Sequence, residues 1–208
     1  MDHPKCCHYH ADFLSLHEQN TILTTLNNEF NLNQPDYVEI IGKGKQPVWP
    51  WKMMLVDPLL VDSDVFPAHH GRRQAWFPAI SSLQQKLAEF TGVVFPVCVC
   101  IYYPDGDEYL DFHSDLPAFG PTNVIASISL GAERAFHIRH QSQLQHQWQI
   151  NLASGSLLLM ADGFQDNYQH AVPKATGKVG PRFNLTFRQF NWPGHVRSTQ
   201  DISNSALP

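Results

Sequence analysis

The sequence predicts one mainly β domain with flanking helices, a jelly roll with the helices packed on one face. Two amphipathic helical patterns precede Gly92, and short β-branched and aromatic runs separated by turn residues follow it. Seven such runs are enough for an antiparallel sandwich or barrel. The 208 residues, 43% of them hydrophobic, can bury one core, so a single domain spanning 1–208 is expected.

The first predicted helix begins at a capping box formed by Ser15 and Glu18. Its apolar side chains recur every three to four residues, as Ile22, Leu23, Leu26 and Phe30, until the segment 31–35 ends the pattern. The second predicted helix runs from Ile80 to Phe90 and has one apolar face made of Ile80, Leu83, Leu87 and Phe90. Gly92 supplies its stop signal.

Between the helices, residues 42–78 contain many prolines, glycines and clustered aromatic residues, which favour short strands and loops over a long element. After Gly92 the candidate strands are 93–103, 107–112, 124–130, 134–139, 147–152, 156–160 and 183–190. Turn residues separate them, as in Pro104-Asp105-Gly106 and Ser154-Gly155. This succession predicts an antiparallel β core.

Composition excludes several classes of protein. A formal net charge of -5 argues against binding nucleic acid by bulk electrostatics, so any such contact must be local. No apolar run is long enough to span a membrane and no secretory signal begins the chain, which predicts an intracellular protein, cytoplasmic or, in a eukaryote, nuclear. The cysteines form two close pairs, at 6/7 and 98/100, a poor disulfide framework, so reduced thiols are expected.

Three residues have the types and spacing of a metal site. His113 and Asp115 are two positions apart, so in an extended segment their side chains point to the same side, and His170 follows later in the chain. Two histidines and one carboxylate form the facial triad of non-haem Fe(II) oxygenases. The alternative is a surface histidine beside a turn aspartate, since the chain has 12 histidines.

The last candidate strand carries polar and apolar residues in alternation. One face presents Arg182, Asn184, Thr186 and Arg188, and the other presents Phe183, Leu185 and Phe187. Two arginines on an interior face require anions, and a dicarboxylate would supply both. The alternative is an edge strand whose arginines are solvated or paired with acidic side chains.

The chain resembles the AlkB-type Fe(II)/2-oxoglutarate-dependent dioxygenases over roughly residues 80–190. The resemblance starts with Tyr103, ten residues before His113-Ser114-Asp115. It continues through Ile125-Ala126-Ser127-Ile128-Ser129-Leu130-Gly131-Ala132, Phe136, Arg139-His140, Gly155-Ser156-Leu157-Leu158-Leu159-Met160, His170-Ala171-Val172-Pro173 and Pro181-Arg182-Phe183-Asn184-Leu185-Thr186-Phe187-Arg188. The last block is nearly a signature of that family.

The resemblance implies a double-stranded β-helix and an enzyme. It implies that Fe(II) is bound by His113, Asp115 and His170, and that 2-oxoglutarate is bound by Tyr103, Arg182, Asn184 and Arg188. With O₂ as the second co-substrate, such an enzyme would demethylate N-alkylated bases in DNA or RNA, releasing formaldehyde, succinate and CO₂. Residues 1–92 would then form the N-terminal helices and substrate lid, 93–190 the catalytic core and 191–208 a tail.

Several positions depart from the family pattern. Leu116-Pro117-Ala118 follow the metal motif where further acidic residues are common, Ile101 replaces an asparagine and Tyr168 replaces a tryptophan. These departures leave open a second function, the same chemistry on a protein side chain or small molecule. A third, a non-catalytic cupin-like module, fits the inward arginines least well.

The predicted substrate is a single-stranded or flipped-out alkylated base. Aromatic and cationic candidates to hold it are Trp76, Arg72, Arg73, Trp49 and Arg139, since bases stack on aromatic rings and phosphates attract arginine. Trp76 could instead pack the following helix on the core. The N-terminal His3, Cys6, Cys7, His8 and His10 could bind zinc, but a frayed terminus is the favoured interpretation, and a monomer is the favoured state.

Overall fold

The computed structural model describes residues 3–32, 36–40, 44–48, 51–62, 73–118 and 120–190. Trp49, Arg72 and the predicted tail 191–208 lie outside the described residues. None of the described helices is both long and apolar enough to cross a lipid bilayer.

Both predicted helices are confirmed. Helix α1 spans Leu16–Glu29, and its capping box is complete: the Ser15 backbone N–H donates to Glu18 Oε2 at 2.7 Å, and the Glu18 N–H donates to Ser15 Oγ at 3.3 Å. Helix α2 spans Pro78–Thr91 and ends at Gly92, whose φ of +71° suits glycine. Phe90, a member of the predicted apolar face, is 50% exposed; it lies one residue before the end of α2 and contacts the rings of His10 and Phe13.

A seven-stranded sheet forms the larger layer, in the order β1-β11-β8-β13-β6-β4-β5. Its strands are β1 Cys7–His10, β4 Trp51–Val56, β5 Arg73–Ala75, β6 Val97–Tyr103, β8 Ile125–Gly131, β11 Leu157–Met160 and β13 Arg182–Arg188. Only β4 and β5 pair in parallel.

A four-stranded antiparallel sheet faces it, in the order β10-β9-β12-β7. Its strands are β7 Leu110–His113, β9 Arg134–His140, β10 Gln147–Leu152 and β12 Tyr168–Val172. A separate hairpin joins β2 Asp36–Ile40 to β3 Gly44–Val48, and two single turns complete the described elements, a 3₁₀ turn at Pro58–Leu60 and helix α3 at Phe164–Asn167. Residues 42–78 thus hold short strands, as predicted.

All seven candidate strands are present, with bounds moved by a few residues. The first begins at Val97 rather than 93, after Pro96, which has no N–H to donate to a ladder. The expectation of a frayed N-terminus is wrong for residues 7–10, which pair with β11 from Cys7↔Met160 to His10↔Leu157. Strand β12 was not predicted.

The larger sheet separates two apolar layers. On its outer face Phe183, Leu185 and Phe187 are buried against a cluster that includes Ile22 of α1 and Leu87 of α2. On its inner face another cluster joins the two sheets, with members such as Tyr103, Ile138, Met160 and Val172. The alternation predicted for β13 is confirmed, and it turns the two arginines toward the space between the sheets.

All four cysteines are free. Cys98 and Cys100 are fully buried in β6 and act as small apolar side chains, as expected.

Candidate metal and cofactor site

His113, Asp115 and His170 come together between the two sheets. One ligand atom of each lies within 4.8 Å of the others, and the two imidazole centroids are 4.3 Å apart. The register explains this approach, because His113 at the end of β7 pairs directly with His170 of β12. In the described part of the chain no other group of three or more His, Cys, Asp or Glu is this close, so the N-terminal histidines and cysteines there form no zinc site.

The ring of His113 is oriented by its own strand. Its Nδ1 lies 2.7 Å from the carbonyl oxygen of Asp111, so a protonated Nδ1 donates to that oxygen. The Nε2 lone pair is then available to a metal ion, which is the usual arrangement of histidine ligands.

His170 is held in an apolar setting. Its ring stacks on Phe136 at 5.2 Å and lies 6.0 Å from the ring of Phe164. Burial lowers the pKa of His170 to about 4, although the nearby Asp115 carboxylate opposes that shift. The imidazole is therefore neutral near pH 7, as a metal ligand must be.

Asp115 is fixed from three directions. Its Oδ1 accepts a hydrogen bond from Arg188 Nη1 at 3.0 Å, and its Oδ2 lies 3.9 Å from His170 Nε2. Its backbone N–H donates to Gln165 Oε1 at 2.9 Å. Arg188 Nη2 also donates to the carbonyl of Leu116 at 2.5 Å, so this arginine supports the metal-ligand segment directly.

Arg182, on the inner face of the larger sheet, is a buried cation with few hydrogen-bond partners. Its side chain is 1% exposed, and Nη2 donates to Ser129 Oγ at 2.9 Å. Its Nε and Nη1 are buried without a hydrogen-bond partner among the described residues. Burial lowers the pKa of Arg182, with the neighbouring Tyr103 as an opposing influence. A buried, largely unpaired guanidinium is costly, so this geometry fits an anion that binds here.

Tyr103 and Asn184 lie on either side of Arg182 on the inner face. Tyr103 pairs with Arg182 across the strands, and the guanidinium carbon lies 5.1 Å from the ring centroid. Asn184 Nδ2 donates to Ser127 Oγ at 2.7 Å and its Oδ1 accepts from Thr186 at 3.1 Å. Ile101, where the family commonly has asparagine, pairs with Asn184 and is 8% exposed.

Three supporting residues were not predicted: Ser127, Ser129 and Gln165. The two serines alternate with apolar residues along β8, and that alternation is the sequence signal from which a polar inner face could have been predicted. Gln165 lies in α3 and reaches Asp115 across the fold, a contact that no local pattern reveals.

The described substrate candidates do not join the triad. Trp76 packs against the helix-side cluster, as its alternative interpretation held, and Arg73 Nε donates to the carbonyl of Val61 at 2.6 Å. Arg139 pairs with Gln169, which places it on the face of the four-stranded sheet opposite His170. There its guanidinium lies 4.0 Å from the centroid of Phe112.

Comparison with known proteins agrees with this geometry. Residues 6–188 match the 2OG-Fe(II) oxygenase superfamily. Over 122 residues, 54% of the chain, it is 36% identical to mouse alpha-ketoglutarate-dependent dioxygenase alkB homolog 3, covering 43% of that protein. Over 122 residues, 55% of the chain, it is 31% identical to mouse DNA oxidative demethylase ALKBH2, covering 51%. The chain thus spans about half the length of these relatives or less.

Two further matches cover larger shares of both chains. The chain is 31% identical to the uncharacterized protein R406 of Acanthamoeba polyphaga mimivirus over 132 residues, 62% of this chain and 69% of that one. A structure titled "The structure of OsALKBH1" superposes with a TM-score of 0.66 at 16% identity, covering 91% of this chain and 100% of the other. That similarity confirms the double-stranded β-helix fold.

The family match covers the strands that carry the triad, Tyr103 and Arg182. It confirms the predicted oxidoreductase class and the use of Fe(II), 2-oxoglutarate and O₂. The chain therefore belongs to the 2OG-Fe(II) oxygenase superfamily, and its resemblance to the AlkB type is confirmed.

Proposed function

We propose that the protein oxidatively demethylates N-alkylated bases in DNA or RNA. The observation that carries this proposal is the triad beside a buried arginine that has no anionic partner among the described residues, in a chain similar to proteins named alkB homolog 3 and DNA oxidative demethylase ALKBH2. A substrate of this class would place the enzyme in the cytoplasm or, in a eukaryote, the nucleus.

In this proposal Fe(II) is bound by His113, Asp115 and His170. Their fit rests on the orienting contact from His113 Nδ1 to the Asp111 carbonyl and on the neutral state of His170. A metal held there would supply O₂ activation, with 2-oxoglutarate as the co-substrate oxidised to succinate and CO₂ while a substrate C–H bond is hydroxylated.

Arg182 would bind the distal carboxylate of 2-oxoglutarate through its two unpaired nitrogens, with Tyr103 beside it. Asn184 would bind the co-substrate from the same inner face. Arg188 would act near the metal end, because its guanidinium already binds the Asp115 carboxylate. The two arginines would thus have different roles: Arg182 would bind the distal carboxylate of 2-oxoglutarate, and Arg188 would support the metal ligand Asp115.

The reacting base would enter from the exposed segment that follows Asp115. Leu116 is 74% exposed, which offers an apolar contact beside the triad. Strand β7 is at the edge of its sheet, and Phe112 and the Arg139 guanidinium 4.0 Å from its ring centroid lie on the face of that sheet opposite His113 and His170. A flipped-out base could reach the triad while Arg139 contacts phosphate outside.

The test is release of formaldehyde from single-stranded and duplex oligonucleotides that carry one N-methylated base each. The iron-loaded protein should release formaldehyde and succinate in equal amounts from at least one of them, and the His113→Ala variant should release neither. Arg139→Gln should weaken oligonucleotide binding and reduce its salt slope by about one.

The second candidate function predicts a different outcome. Slow 2-oxoglutarate consumption without formaldehyde from any oligonucleotide would indicate a protein side chain or small molecule as the substrate. The observation that favours that alternative is the run Leu116-Pro117-Ala118, which lacks the acidic residues that commonly follow the metal motif in the family.

A further inference from the structure

A second buried arginine lies close to the proposed 2-oxoglutarate site. Arg134 begins β9 and is 2% exposed. Its Nη1 donates to the carbonyl of Asp105 at 3.0 Å, and its Nη2 donates to the carbonyls of Glu108 at 2.8 Å and Pro173 at 2.6 Å. One side chain thereby joins the loop that follows Tyr103 to the segment that follows β12.

Those two segments also pack on each other directly. The Ala175 backbone N–H donates to the Gly106 carbonyl at 2.8 Å. A Cβ placed on Gly106 would lie 2.8 Å from the Ala175 Cβ, closer than real side chains approach. Arg134 therefore links two closely packed segments. One is the loop that connects β6, the strand of Tyr103, to β7, and the other is the segment that follows β12, the strand of His170.

Arg134 also brings a second positive charge to Tyr103. Its guanidinium carbon lies 5.6 Å from the Tyr103 ring centroid, and that of Arg182 lies at 5.1 Å. In the described part of the chain neither arginine forms a salt bridge with a carboxylate. Burial lowers the pKa of both arginines, and Arg134 lowers that of Arg182 further. Tyr103 opposes the shift in each, and Asp105 and Glu108 also oppose it in Arg134. Arg134 thus adds a second buried guanidinium beside Tyr103, next to the Arg182 nitrogens that lack a hydrogen-bond partner among the described residues.

We propose that Arg134 is a positioning residue for the distal carboxylate of 2-oxoglutarate. It fixes Tyr103 and its loop against Arg182 and adds charge to the site without touching the co-substrate. The proposal rests on the assignment of Arg182 to 2-oxoglutarate made above. It predicts that Arg134 acts on one end of the co-substrate only, the end farthest from the metal.

The test compares two keto acids on Mn(II)-loaded protein by calorimetry. 2-Oxoglutarate has the distal carboxylate, and 2-oxobutyrate lacks it while keeping the end that chelates the metal. Arg134→Gln should raise the dissociation constant of 2-oxoglutarate on the order of tenfold and that of 2-oxobutyrate by less than about twofold. Arg134→Lys keeps the charge but cannot reach three carbonyls, so its effect should be about threefold, on 2-oxoglutarate alone.

Controls separate the possible failures. Lys174→Gln removes an exposed cation next to Pro173 and should leave both constants unchanged. Equal losses for the two keto acids, or no loss for 2-oxoglutarate, would overturn the proposal. If Arg134→Gln does not fold, Arg134→Lys decides by the same comparison. If Arg182→Met binds 2-oxoglutarate as tightly as the wild type, the assignment of Arg182 fails instead.

Discussion

Replacing Arg182 by methionine should stabilise the protein without co-substrate while removing its response to 2-oxoglutarate. Methionine has a similar length and is apolar, so it can fill the same space without burying a charge. The wild-type guanidinium keeps one hydrogen bond, to Ser129, and leaves Nε and Nη1 unpaired in the described structure.

The size of the effect follows from those two nitrogens. A buried donor without a partner costs about 1–3 kcal/mol, and replacing buried charged groups by apolar ones often gains about 1–4 kcal/mol. Loss of the hydrogen bond to Ser129 offsets part of this gain. We therefore expect a net increase of about 1–3 kcal/mol in the free energy of unfolding. In a domain of this length each kcal/mol corresponds to about 2–4 °C in Tm.

The assay is thermal unfolding of the Mn(II)-loaded protein with and without 2-oxoglutarate. At 100 times its dissociation constant the co-substrate should stabilise the wild type by about 2.7 kcal/mol. Arg182→Met should unfold at a higher temperature than the wild type without 2-oxoglutarate and show no further shift when it is added.

One result would refute this reasoning. A variant that is less stable than the wild type without co-substrate, yet still gains the full shift from 2-oxoglutarate, would mean that Arg182 has structural partners and no anionic ligand.

Three further predictions concern the metal ligands and the helices. His113→Ala should abolish Mn(II) binding and turnover, measured by calorimetry and succinate release, while circular dichroism stays unchanged. Arg188→Gln removes the 3.0 Å partner of Asp115 and should weaken Mn(II) binding by about 10–100-fold; an unchanged affinity would contradict the support role. The pKa of Glu18 is lowered to about 2 by its hydrogen bond to Lys86. Its contribution to the free energy of unfolding is therefore complete above its pKa in the unfolded chain, near 4.5, and is lost as the pH falls toward 2. Urea unfolding should show that the wild type loses free energy of unfolding across that pH range and that Glu18→Gln lacks this loss. For so exposed a pair the loss should be below about 1 kcal/mol.

Local patterns were sufficient for much of the fold. Ser15 and Glu18 mark the start of α1, Gly92 marks the end of α2, and the alternation in β13 gives the face of each arginine, because caps and pleats depend on neighbouring residues. Strand β1 could not be predicted in this way, since Cys7–His10 lacks β-branched residues and is extended because it pairs with β11, far along the chain.

The site shows the same division. The metal-binding role of His113, Asp115 and His170 was predicted from their spacing and from the family resemblance. The residues that orient each of these side chains were not predicted. Arg188 was predicted to bind the co-substrate, and in the structure it also binds Asp115, a contact between residues 73 positions apart that no local pattern reveals. Trp76 illustrates the limit for aromatic residues: its sequence context fits both base stacking and core packing, with core packing slightly favoured, and the fold shows that it packs against the helix-side cluster.

The position of β13 determines when the enzyme can first become active during synthesis. It is the last of the described strands to leave the ribosome, yet it lies in the middle of the larger sheet, hydrogen-bonded to β8 on one side and β6 on the other. Until it inserts, those two strands expose unpaired edges, and such long-range pairing is slow. Arg182 and Arg188 both lie on β13. A nascent chain therefore contains His113 and His170 before either arginine has been synthesised. Completion of the sheet and assembly of the proposed co-substrate site are therefore a single late event.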